Sequence, residues 1–180
     1  MKILFPLILL SCAVFAQDEA AIAKAKSACG PDNIFFDVYT GEETHALATP
    51  APGKALVFVI GENVTCAACD VTVRVGMDSA WAGAIEGSSW IAMNVEPGEH
   101  HLCTNWQSSL AGRRRHVALA GFTAENGKVY FFRLRVNTRE EPVLDLDAIN
   151  GDEGRYLVAE YRASEFHARK PGKTSADSSD

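Results

Sequence analysis

Ala55-Leu56-Val57-Phe58-Val59-Ile60 is an unbroken apolar run of six residues, rich in β-branched and aromatic side chains. A run that short and that branched reads as a buried strand. Val71-Thr72-Val73-Arg74-Val75 follows with strict alternation of apolar and polar residues, the period-2 pattern of a strand. Gly76-Met77-Asp78-Ser79 turns the chain into Ala80-Trp81-Ala82. Trp90 to Val95 leads through Glu96-Pro97-Gly98-Glu99, a β-turn by its Pro-Gly pair, into a returning strand from His100 to Trp106. Val117 to Phe122 and Val129 to Val136 flank Glu125-Asn126-Gly127, and the Asn-Gly pair predicts a hairpin.

Working outward, Ile34 to Tyr39 predicts a first strand, and Thr40 to Lys54, with Pro50 and Pro52, a connecting loop. Residues 17–28 are helix formers with acids first and Lys later, which complements a helix dipole. Gly30-Pro31 stops that helix. Beyond Pro142, Val143-Leu144-Asp145-Leu146 is a short extended piece. Asp152 is then the expected N-cap of a helix to about Ala163, with Tyr156, Leu157 and Tyr161 on one side. The expectation is a mainly β fold: an antiparallel β-sandwich of about seven strands with a short N-terminal helix and a C-terminal helix. The expected boundaries are a signal peptide at 1–16, N-terminal helix and linker at 17–33, one sandwich domain at 34–167 and a disordered tail at 168–180.

The first sixteen residues carry one positive charge (Lys2), an apolar stretch from Ile3 to Leu10, and small residues toward Ala16. Those are the three parts of a secretory signal, with cleavage expected before Gln17. The stretch is well short of the ~20 residues that span a bilayer, so no transmembrane helix is expected. Leu9-Leu10-Ser11-Cys12 resembles an imperfect lipobox, which makes acylation of Cys12 the rival outcome and a lipid anchor the alternative to a soluble product. Localisation is therefore read as exported: periplasmic, outer-envelope or secreted. The net charge of −6, from 17 basic and 23 acidic residues, argues against nucleic acid as partner.

Cys29, Cys66, Cys69 and Cys103 remain after cleavage, an even number that in an exported chain is first read as disulfides. Four cysteines allow three pairings, and spacing does not choose among them. Cys29–Cys103 with Cys66–Cys69 is the favoured pairing, since a bond at Cys29 would fasten the N-terminal segment to the β-core. A thiol-redox reading of Cys66-Ala67-Ala68-Cys69 is weaker, because Asp70 and a strand follow where a helix N-terminus would lower a thiol pKa. A metal site is the other alternative: on a strand His101 and Cys103 share a face, and with Cys66 and Cys69 they would make a three-cysteine, one-histidine set. No catalytic motif is found; Glu86-Gly87-Ser88-Ser89-Trp90 is not a nucleophile elbow, and no cofactor is expected. Arg113-Arg114-Arg115-His116 reads as a solvated turn, Asn63-Val64-Thr65 as a glycosylation sequon by pattern, and Trp81, Trp90 and Trp106 as core residues.

The order of motifs carries a resemblance. Pro52-Gly53-Lys54-Ala55-Leu56-Val57-Phe58-Val59, then Gly76-Met77-Asp78 with Trp81-Ala82-Gly83, then Val95-Glu96-Pro97-Gly98-Glu99-His100-His101-Leu102, are followed by Ala124 to Arg133 and the helix start from Asp152 to Val158. Over residues 53–162 this resembles the domain-of-unknown-function 2846 family of exported bacterial proteins, many of them lipoproteins. The resemblance implies an envelope or secreted location and a small β-sandwich, and supplies no catalytic residues. The functional expectation is a non-enzymatic, disulfide-stapled envelope or periplasmic protein that meets an unidentified envelope component or small ligand. A metal-binding or thiol-redox protein is the alternative.

Overall fold

The computed structural model describes Ala23 and residues 27–41, 48–63, 71–107, 117–137 and 143–169. Strand β2 (Ala55–Asn63) is its centre. Leu56 through Ile60 are all essentially inaccessible to solvent, so this strand is covered on both faces. Val57 and Val59 point into the main core, while Leu56, Phe58 and Ile60 join a second cluster with Trp90, Phe131, Leu157 and Val158. Two covered faces are the reason the stretch is apolar without alternation.

The other strands are β1 (Phe35–Thr40), β3 (Thr72–Met77), β4 (Ala80–Glu86), β5 (Ser89–Val95), β6 (Gly98–Trp106), β7 (Val117–Ala124), β8 (Val129–Asn137), β9 (Val143–Ile149) and β10 (Arg162–Arg169), with helix α1 (Gly151–Glu160) before the last. They form a six-stranded sheet in the order β1-β10-β5-β2-β8-β9 and a four-stranded sheet in the order β4-β3-β6-β7. Val73 and Val75 of β3, Leu102 and Trp106 of β6, and Val57, Val59, Phe132 and Leu134 of the larger sheet fill the space between them. Helix α1 covers the outer face of the larger sheet. Its N-cap Asn150 accepts from the N–H groups of Asp152 and Glu153, and Leu157 and Val158 are its buried contacts.

The β-rich class is as the sequence predicts, but the details differ. Ten strands are described rather than about seven. The larger sheet is mixed: β2 runs parallel to β8, and β10 parallel to β5. A parallel pair needs a long crossover, and the chain between β2 and β8 makes it by building the whole four-stranded sheet. The hairpin expected around Asn126-Gly127 is therefore not one. Gly127 takes a φ of 73° and the chain does reverse, but β7 pairs with β6 while β8 pairs with β2 and β9. In the same way the Pro97-Gly98 turn passes from β5 in one sheet to β6 in the other. Local turn chemistry fixes a reversal and leaves open which sheet receives the next strand.

Near the C-terminus, the predicted helix to about Ala163 ends at Glu160, its N-cap is Asn150 rather than Asp152, and residues 162–169 form β10. That strand inserts between β1 and β5, and it carries the sheet two residues past the expected boundary at 167. Among the described residues α1 is the one helix. The predicted N-terminal helix lies mostly outside them, apart from a helical-type bond from the Ser27 N–H to the Ala23 carbonyl of 3.0 Å. Residues 1–22 and 170–180, which hold the expected signal, Cys12 and most of the tail, also lie outside the described residues.

Candidate functional site

The outer face of the four-stranded sheet is where the chemistry-bearing residues meet. Alternation along β3 sends Val73 and Val75 inward and Arg74 and Gly76 outward, and pairing with β6 places Asn105 beside Arg74 and Cys103 beside Gly76. The N-terminal segment crosses this face. Cys29 is disulfide-bonded to Cys103 across 74 residues of sequence, with Cα atoms 5.1 Å apart. The Ser79 N–H donates to the Ala28 carbonyl at 3.2 Å, and the Trp81 Nε1–H donates to the Pro31 carbonyl at 2.7 Å. A side chain at Gly30 would collide with Trp81, its Cβ falling 2.5 Å from the ring.

Arg74 is the pin through this arrangement, only 5% exposed. Its Nη1 donates to the carbonyls of Asp32 and Ile34 at 3.2 and 2.8 Å, and its Nη2 donates to Asn105 Oδ1 at 2.9 Å. The guanidinium lies 4.5 Å from the Trp81 ring centroid, within cation–π range. Burial pulls its pKa below the ordinary arginine value, and the Asp32 charge pushes part of the way back.

Beside the disulfide, a cleft of about 700 Å³ runs between the N-terminal segment, the start of β7 and strand β9. Asp32 brings an acidic residue to its lining and Leu119, Leu144 and Leu146 apolar ones. Asp145 and Asp147 line it too, but alternation puts their side chains on the other face of β9, beside Arg135 and Arg133 of β8. Asp147 also faces Arg135 at 3.9 Å. A cleft of this size falls in the range of small-ligand sites. A second, shallower groove of about 590 Å³ is lined by Ile34, Phe36, Trp81 and Phe166.

The residues singled out from sequence separate on this framework. The expected Cys29–Cys103 bond is present. Cys66 and Cys69, with Arg113 to His116, lie outside the described residues, so their proposed pairing and the CxxC reading do too. Cys103, one member of the alternative metal set, is bonded to Cys29, and Cys66 and Cys69 of that set lie outside the described residues. His101 does share the outer face with Cys103, and its Nε2 lies 3.6 Å from Glu99 Oε1. Among the described residues no group of three His, Cys, Asp or Glu side chains is placed to hold a metal ion. Of the tryptophans, Trp90 and Trp106 are core residues as expected, whereas Trp81 sits half-buried on the outer face. Asn63 ends β2, and the rest of its sequon lies outside the described residues.

Sequence reasoning missed Arg74, whose place in an alternating strand signals a solvent-facing residue. It also missed the pairing of His100 with Asp78, 22 residues apart, whose Nδ1 and Oδ2 are 2.6 Å apart. The other ring nitrogen of His100 is 2.7 Å from the Glu96 carbonyl, so in this geometry neither nitrogen is left over to act as a base. Among the described residues no helix is long and apolar enough to cross a membrane. No family model, curated protein or solved structure matches the chain.

Proposed function

We propose that the protein is a non-enzymatic, exported binding domain of the cell envelope, with the cleft beside the Cys29–Cys103 bond as its ligand site. The observation that carries the reading is the cleft itself, whose wall exists because a disulfide and Arg74 hold the N-terminal segment against the sheet. Acidic Asp32 beside apolar Leu119, Leu144 and Leu146 favours a ligand with an apolar body and a cationic head. A disulfide is compatible with an oxidising compartment, and the first sixteen residues have the make-up of a leader. The resemblance of residues 53–162 to the domain-of-unknown-function 2846 family belongs to the same reading.

Export is tested by intact-mass spectrometry of the full chain, expressed with its own leader in a bacterial host and alkylated without reduction. The expected product begins at Gln17 with Cys29 and Cys103 protected from alkylation. A chain that keeps Met1 and alkylates at both cysteines overturns export, and an acylated Cys12 makes the product anchored rather than soluble. Binding is tested by titrating the mature protein with alkyl- and arylamines while following backbone amides. Saturable shifts at Asn105, Leu119 and Asp145, with neutral alcohols of the same shape at least about tenfold weaker, are expected. Amines that leave those amides unmoved overturn the site.

A further inference from the structure

His100 has an acceptor at each ring nitrogen. Its Nδ1 faces Asp78 Oδ2 at 2.6 Å and its Nε2 faces the Glu96 backbone carbonyl at 2.7 Å. A carboxylate and a carbonyl both accept and cannot donate, so both contacts are hydrogen bonds only when the ring carries two N–H groups. Neutral imidazole has one. The two acceptors also belong to different parts of the fold. Asp78 sits in the β3–β4 turn at a φ of 50°, and its Oδ1 accepts the His101 N–H at 2.9 Å. Glu96 opens the turn that carries the chain from the six-stranded to the four-stranded sheet, closed by Gly98 at a φ of 142°.

We propose that His100 is a pH-released latch: as an imidazolium it fastens the Asp78 turn to the Glu96–Gly98 crossover between the sheets, and on losing its proton it lets the crossover go. The surroundings are suited to this. The ring is 13% exposed and lies 5.6 Å from the ring of Phe122 on β7, which holds it in place. The charged groups around it are Asp78 from the β3–β4 turn, Glu96 with its ion-pair partner Lys54 from the segment before β2, and Glu99 and His101 on β6. Phe122 of β7 in turn contacts Tyr130 of β8.

Burial alone lowers the His100 pKa. The hydrogen bonds to Asp78 and to the Glu96 carbonyl, with the Asp78 charge, outweigh it and leave the value above the ordinary 6.5. Burial likewise raises Asp78, but the His100 and His101 hydrogen bonds and charges bring it below 3.8. For a raised imidazole the stabilisation is complete below pH 6.5 and is lost as pH rises through the folded value. For a depressed carboxylate it is complete above pH 3.8 and is lost as pH falls through the folded value. The latch is therefore closed between the two and opens on the alkaline side first at His100.

The test is an NMR titration of the full chain from about pH 5 to about pH 9, following the His100 ring nitrogens and the amides of Gly98 and Glu99. Two protonated ring nitrogens at the acid end, a midpoint above 6.5, and amide shifts with the same midpoint are expected. Asp78→Asn keeps a residue that tolerates positive φ and an acceptor for the His101 N–H, and it should cut the proton affinity of His100 by about three- to tenfold. A midpoint at or below 6.5, or crossover amides that do not follow the ring, overturns the latch. The unmutated protein decides the matter even if the variant does not fold.

Discussion

Arg74 occupies an outward position in an alternating strand and is nevertheless buried, because the N-terminal segment lies over it. Removing its side chain leaves three acceptors without their donor and strips packing from Trp81. Arg74→Ala is accordingly expected to lower stability by about 2–4 kcal/mol, read as a reduced urea midpoint with an unchanged slope. Its partner in significance is Gly154, where an added Cβ would fall 2.2 Å from Phe131 Cγ and 2.6 Å from Phe131 Cβ. The ring cannot rotate away from a clash with its own Cβ. Gly154→Ala should therefore destabilise by about 1–3 kcal/mol, although alanine is the better helix former. A gain in stability on urea titration would show that α1 shifts freely over the sheet.

At the scale of elements, α1 depends on its ends. Asn150 caps it through two backbone N–H groups, at 3.0 and 2.9 Å, and Arg133 of β8 pairs with Glu153 in its first turn. Asn150→Ala should cost about 1 kcal/mol, measured by the same unfolding titration, with the loss confined to conditions in which α1 is folded. Strand β10 was not legible in the sequence. Arg162-Ala163-Ser164-Glu165-Phe166-His167-Ala168-Arg169 has one large apolar residue and no strong alternation, and the helical spacing of Tyr156, Leu157 and Tyr161 points past its start. What makes it a strand is the vacancy between β1 and β5 that it fills, together with Phe166, whose ring meets Phe36 edge-on at 5.7 Å. Since among the described strands β1 pairs only with β10 in its sheet, a chain ending at Tyr161 should lose amide-exchange protection along β1, except at Phe36, whose N–H donates to Gln107 Oε1 at 2.7 Å, while β2 and β8 keep theirs.

For the molecule as a whole, the Cys29–Cys103 bond closes a loop of 74 residues that contains β1 to β5 and most of β6. In the chain-entropy model such a loop contributes about 4 kcal/mol by restricting the unfolded chain. Replacing both cysteines with serine should lower the thermal midpoint by roughly 8–16 °C, and reducing the unmutated protein should lower it by a similar amount. If reduction leaves the midpoint unchanged, the hydrogen bonds of Arg74, Ser79 and Trp81 hold the N-terminal segment by themselves.

By itself the sequence determined the strands whose side-chain pattern reports their own burial: the apolar run of β2, the alternation of β3, and the turns at Asp78-Ser79, Pro97-Gly98 and Asn126-Gly127. These are properties of a few neighbouring residues, and φ preferences and periodicity are local. It also brought Cys29 and Cys103 forward as partners, on the argument that the N-terminal segment needed fastening. Only the tertiary structure decided which sheet each turn leads into, that β2 and β8 run parallel, and that Arg74 and His100 are enclosed by segments 22 to 42 residues away. The physical reason is that a reversal is set by two or three backbone angles, whereas strand partnership is set by which apolar faces can be buried together. For β2 that meant two faces at once, one against the second sheet and one against α1, and no stretch of six residues can announce what will lie on either side of it.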